Sequence, residues 1–322
     1  MLIVGKEHRA NETPEPIKIN TGSNSIRAAT FTANSKYLLS GDTEGVQVWR
    51  VVDGKRMATM AVNGTVHCLA VSRNEGWIAA GTFWGDVIVW NAMTYAKVVS
   101  HREDNSTIHA VDFAPDSTRL VAGSENRTAS IWDVATCKRV RTLRHENPVI
   151  GAKYAPRGDR IATATKNSVR VYDASEGHTL LADIPVNVTS YYNTGILWSN
   201  DRLVVLSGGR IKRIAACSPV QPSESDWLVP VNYLPRGIAL PRHEEFIACA
   251  GSRTVTFWDT SLDATQTRSK PGVIQYPENI HAVALSPDDR FIAIGGEGGE
   301  ILVQIVPHRV NVGINVVGRH RT

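Results

Sequence analysis

The sequence predicts an all-β chain in which one four-stranded antiparallel unit is repeated seven times. Two observations predict it. The chain resembles itself at intervals of about 40 residues, and each interval holds short apolar runs punctuated by Gly, Pro, Asn, Asp and Ser. The clearest copy is 108–133, IHAVDFAPDSTRLVAGSENRTASIWD. Its first apolar run stops at Pro115-Asp116, the second (Leu120, Val121, Ala122) stops at Gly123, and the third ends at Trp132-Asp133. Runs of this length, rich in β-branched and aromatic side chains, read as strands of a meander. A single meander cannot bury both of its faces and needs copies stacked beside it.

The copies start near Ile26, Val66, Ile108, Val149, Tyr192, Pro235 and Ile280, spaced 40, 42, 41, 43, 43 and 45 residues apart. The fifth and sixth are the most eroded. A second strand follows each turn, and a third ends at Trp49, Trp90, Trp132, Tyr172, Ile214, Trp258 and Ile305. Fourth strands are expected at 56–60, 96–100, 139–143, 179–184, 228–231 and 272–276. The seventh copy lacks one, whereas residues 16–20 (PIKIN) alternate like a strand without a partner. Four-stranded units at this period close radially into a β-propeller. The expected fold is therefore a single seven-bladed β-propeller of four-stranded antiparallel blades, its ring closed by the N-terminal strand at 16–20. Residues 310–317 compete for that role. The domain reading is an extension at 1–15, a propeller at 16–306 and a basic tail at 307–322.

The period, with Trp132-Asp133, Trp258-Asp259, Tyr172-Asp173, Trp49 and Trp90, resembles the WD40-repeat family in divergent form. The resemblance implies a buried tetrad of Asp, His, Ser/Thr and Trp in each blade, and here no set is complete. There is no Gly-His dipeptide, and His145 alone stands at the family's His offset. Glu44, Trp84, Asn126 and Gly298 occupy the turn-Asp position in copies one, two, three and seven. Apolar packing between sheets is expected to carry the fold instead.

Composition excludes several classes. The chain has 322 residues, 42% hydrophobic and 20% charged, with a net charge of +4, which is ordinary globular composition and no signature of nucleic-acid binding. No stretch approaches eighteen consecutive apolar residues, so no membrane span is expected. The four cysteines are scattered and read as reduced thiols. No nucleophile elbow, zinc-protease helix, P-loop or dinucleotide glycine pattern occurs. The glycine-rich segment 295–299 lies between strands and reads as a hairpin turn. The expectation is no enzyme, no cofactor and no metal, in an intracellular protein, cytoplasmic or nuclear, monomeric as an isolated propeller.

The resemblance also implies a binding face around the central channel, where the second residue of each first strand looks outward. Those positions hold Arg27, His67, His109, Ile150, Asn193, Arg236 and His281, five of them Arg or His. Arg offers a planar fork for carboxylate or phosphate, and His a charge that varies near neutral pH. Alternatively these groups pair with acidic turn residues such as Asp42, Glu44, Glu125 or Glu297. Phe83-Trp84, two adjacent aromatics in a turn, read as an interface anchor. The expected partner is a protein or peptide bearing an acidic group. The alternatives are an anionic small ligand or nucleic acid on the same ring, or a structural subunit of a larger assembly.

Overall fold

A computed structural model describes residues 15–102, 104–188, 195–199, 202–207, 210–215, 228–230, 236–241, 246–259 and 272–306. The strands among them form seven four-stranded antiparallel sheets. Six sheets are consecutive in sequence. Blade 1 runs from Ala28–Phe31 to Arg56–Met60, blade 2 from Val66–Val71 to Lys97–Arg102, and blade 3 from Ile108–Phe113 to Lys138–Arg144. Blade 4 spans Gly151–Tyr154 to Leu180–Pro185, blade 5 Ile196–Ser199 to Leu228–Pro230, and blade 6 Gly237–Ala239 to Gly272–Gln275. Tyr192, where the fifth copy starts, lies outside the described residues.

The seventh sheet is split between the chain ends. Ile280–Leu285, Phe291–Gly296 and Glu300–Ile305 supply three strands, and Ile17–Asn20 supplies the fourth, with Ile17 opposite Val303 and Ile19 opposite Ile301. The seventh copy needs no fourth strand of its own, because residues 17–20 take that edge. The competing segment 310–317 lies outside the described residues.

Among the described residues there is no common core. The buried apolar residues fall into seven clusters, each shared by two adjacent blades, including one that joins blade 7 to blade 1 through Ile26, Phe31, Trp49, Ala282 and Ile301. Neighbouring residues on a middle strand serve opposite interfaces. Leu38 packs toward blade 7 and Leu39 toward blade 2. Leu120 and Ala122 face blade 2, while Val121 between them faces blade 4. Alternation of side chains across the pleat, with both faces covered, makes these strands continuous apolar runs. The outer strands are more exposed by contrast, as in Lys97–Arg102 and Leu180–Pro185. Each fully buried Leu, Ile or Val contributes roughly 1.5–3 kcal/mol.

At the inner rim the blades interlock. The second strand carries a glycine as its last or next-to-last residue at Gly41, Gly81, Gly123 and Gly295, and the first inner residue of the next blade lies against it. A Cβ at Gly41 would collide with Val66, and one at Gly81 with Ile108 and Cys68. At Gly123 it would sit 2.9 Å from Val149 Cγ1, and at Gly295 2.8 Å from Ile26 Cγ2. Main-chain hydrogen bonds cross the same junctions, from Val66 N to Asp42 O (3.0 Å), Val149 N to Ser124 O (3.0 Å) and Ile26 N to Gly296 O (2.8 Å).

Gly81→Val should lower stability by about 1–3 kcal/mol, the usual cost of overpacking a filled site. Gly177→Ala, where the nearest atom is Thr179 Cγ2 at 3.7 Å, should change little; urea unfolding midpoints compare the two. Removing residues 1–20 strips the outer strand from blade 7 and uncovers Ile301 and Val303. That truncation should lower the midpoint far more than removal of residues 307–322.

Candidate functional site: an Arg/His ring at the inner rim

The ring positions share one register. The first and second strands pair small residues thirteen apart: 28 with 41, 68 with 81, 110 with 123, 151 with 164, 237 with 250, and 282 with 295. Arg27, His67, His109, Ile150, Arg236 and His281 each immediately precede such a pair. In blades 2, 3 and 7 the register shifts by one residue there, so His67, His109 and His281 occupy β-bulges. A bulged residue has no cross-strand partner and is re-aimed out of the pleat. Asn193 lies outside the described residues.

The bulges change the expected geometry. Sequence reasoning has these side chains looking outward, but His67 and His109 are buried. Their rings meet edge to face at 5.1 Å between centroids. His109 Nε2 bonds to Glu125 Oε2 at 2.5 Å. His281 Nδ1 lies 3.2 Å from Ser25 Oγ, and its Nε2 is 3.7 Å from Glu297 Oε1. The acidic pairing weighed as an alternative is thus present in blades 3 and 7. Ile150, also buried, interrupts the ring in blade 4.

Burial, then the charges of His109 and Arg27, holds the His67 imidazole down to about 3. Burial, then Arg236 and Arg27, lowers His281 from its ordinary value, and Glu297 opposes the shift. Both rings are therefore neutral at physiological pH. Arg27 forms no ion pair with a described residue. The mouth is consequently mixed: fixed positive charge and neutral imidazoles inside, and the exposed carboxylates of Glu125 and Glu297 beside them. Among the described residues, no three His, Cys, Asp or Glu side chains are grouped to hold a metal ion.

Phe83 and Trp84 remain 49% and 53% exposed and pack edge to face at 5.5 Å. Phe83 is pinned through its backbone: its N–H donates to Thr65 O, and its carbonyl accepts from Thr107 Oγ1. Trp84 lies on Gly64, whose φ is +103°, and a Cβ there would strike the indole. The pair is a pre-ordered aromatic surface. Gly64 is the feature that sequence reasoning missed, although an Asn-Gly turn beside Trp84 signals it.

The tetrads are fragments, as the sequence indicates. In blade 1, Trp49 Nε1 donates to Ser40 Oγ at 2.9 Å. The carboxylate buried in that blade's turn is Asp42, two residues before Glu44, and it accepts from the amides of Glu44 and Gly45. His145 contributes ring packing, edge to face against Tyr172 at 6.1 Å.

The model of the WD domain, G-beta repeat matches residues 54–91, 95–133 and 137–173. The chain carries WD40 repeats. Each match begins at or near the outer strand of one blade and ends in the third strand of the next, so each WD40 repeat staples two neighbouring blades of the propeller. Relatives of these repeats include apoptotic protease-activating factor 1 of Rattus norvegicus, 25% identical over 57% of this chain and 15% of that protein. U3 small nucleolar RNA-associated protein 15 homolog of Xenopus tropicalis is 22% identical over 74% of this chain and 46% of its own length. Small ribosomal subunit protein RACK1y of Oryza sativa subsp. japonica is 26% identical over 49% and 48%. The chain thus spans less than half the length of these relatives. Among solved structures, Kuenenia stuttgartiensis hydrazine synthase matches with a TM-score of 0.73 at 12% identity, over 90% of this chain and 97% of that one. At that identity the likeness is one of fold alone.

The His67 shift has a consequence for stability. Below pH 6.5 the unfolded imidazole takes up a proton that the folded one refuses until about pH 3. Its contribution is therefore full above pH 6.5 and is lost as pH falls, by up to about 1.4 kcal/mol per pH unit. Between pH 7.5 and 5, the urea midpoint of the wild type should fall more steeply than that of His67→Gln.

Proposed function

We propose that the chain is a non-catalytic interaction scaffold that receives an acidic segment of a protein partner on the face bearing the ring. The observation that carries this reading is the adjacency of two features on neighbouring blades: Arg27, which has no carboxylate partner among the described residues, and the exposed Phe83–Trp84 pair. A guanidinium at a partly dry rim suits a carboxylate, and rigid aromatics supply the apolar anchor of a protein contact. Glu125 and Glu297 beside the imidazoles favour a partner with both signs of charge over a simple polyanion.

The family supports the scaffold class. Two of the relatives are named for association with small nucleolar RNA and for the small ribosomal subunit, which supports a place within a multi-component intracellular assembly. Affinity purification with mass spectrometry, comparing the wild type with Arg27→Glu/Arg236→Glu, tests the ring. The reading predicts that the principal co-purifying protein falls at least tenfold in the variant while thermal unfolding is unchanged. Equal recovery by a folded variant would remove the ring from the proposal.

A further inference from the structure

The outermost strand of blade 3, Lys138–Arg144, differs from the other blade edges. Its sequence KRVRTLR places four cations and no acid in seven residues. The corresponding strands are RMATM in blade 1, KVVSHR in blade 2, LLADIP in blade 4 and GVIQ in blade 6. In blade 2 the terminal Arg102 is already engaged, its guanidinium donating to both oxygens of Asp86 at 3.1 Å. In blade 3, by contrast, Lys138, Arg141 and Arg144 are exposed and form no ion pair with a described residue.

Among the described residues, the outer edge of this strand's backbone has no pairing partner. The strand is last in its sheet and pairs on one side, with Thr128–Asp133. Cations flank both faces of the edge. Arg139 lies over Trp132 at 5.3 Å, and Trp132 stacks in turn on His101 of blade 2 at 4.3 Å. Arg141 acts electrostatically on His178 of blade 4. Edge strands are commonly protected from unwanted pairing by an occasional charge, and the edges of blades 1 and 2 fit that pattern. Three cations without an ion-pair partner among the described residues repel each other along one edge and go beyond it.

We propose that this edge accepts an extended acidic segment of a protein as a fifth strand of blade 3. Main-chain pairing would fix the segment, and its carboxylates would meet Lys138, Arg141 and Arg144. Strand addition of this kind takes affinity from the backbone ladder and selectivity from alternate side chains. The surface lies on the outer rim of blade 3, away from the ring at the inner rim.

Fluorescence anisotropy with the full chain tests it, using labelled acetyl-(Val-Glu)4-amide, acetyl-(Pro-Glu)4-amide of equal charge, and a ten-residue oligouridylate. The proposal predicts that the Val-Glu peptide binds and that the Pro-Glu peptide, whose prolines fix φ near −65° and hold it in a polyproline II conformation, binds at least tenfold more weakly. Lys138→Glu/Arg141→Glu/Arg144→Glu should weaken the Val-Glu peptide at least tenfold, and Arg56→Glu, the same charge change on the exposed outer strand of blade 1, should leave it unchanged. If the triple variant melts early, Lys138→Gln/Arg141→Gln serves in its place and should weaken binding in the same direction. No binding, equal binding of the two peptides, tighter binding of oligouridylate, or full retention in a folded variant would each overturn the proposal.

Discussion

The structure depends on how one blade seats on the next. Among the described residues, every cluster of buried apolar side chains is an interface between two blades. At the inner rim, where the sheets crowd together, the seat narrows to a glycine receiving a β-branched side chain, as Gly81 receives Ile108. A ring built this way is stable only when closed, because an open blade leaves a complete apolar face in water. Closure by residues 17–20, far from blade 7 in sequence, makes the last seat depend on the chain returning to its beginning.

That seat also builds the candidate site. Four ring positions follow directly on a side chain that fills a neighbouring glycine seat: Arg27 follows Ile26, His67 follows Val66, His109 follows Ile108 and Ile150 follows Val149. Anchoring one residue fixes the direction of the next. His67 and His109 are therefore buried, and burial holds the His67 imidazole well below its ordinary value. The electrostatics of the mouth follow from packing, because desolvation, more than any charged neighbour, keeps His67 from protonating.

Much of this was legible in the sequence. The period, the Trp-ended third strands and the partnerless strand at 16–20 led to seven blades and to their closure. The positions of the ring were legible as well, but their exposure was not. A bulge adds no distinctive residue type, and one shifted register re-aims a side chain from solvent to interior. A signal was nevertheless available: small residues thirteen positions apart recur in six copies, and they mark where the backbone crowds. The eroded copies hide the rest, for Asn193 and the tail at 307–322 lie where neither the pattern nor the described structure reaches.

The central claim is that blade seating buries the histidines of the rim. Nitrogen-15 NMR of labelled imidazoles, titrated from pH 8 to pH 4 and assigned with His67→Gln, tests it most directly. The account predicts that His67 stays neutral throughout that range, in keeping with a pKa held down to about 3. A His67 transition near pH 6.5 in the folded protein would contradict it, since that imidazole would then be in water and the ring would not be set by the seat.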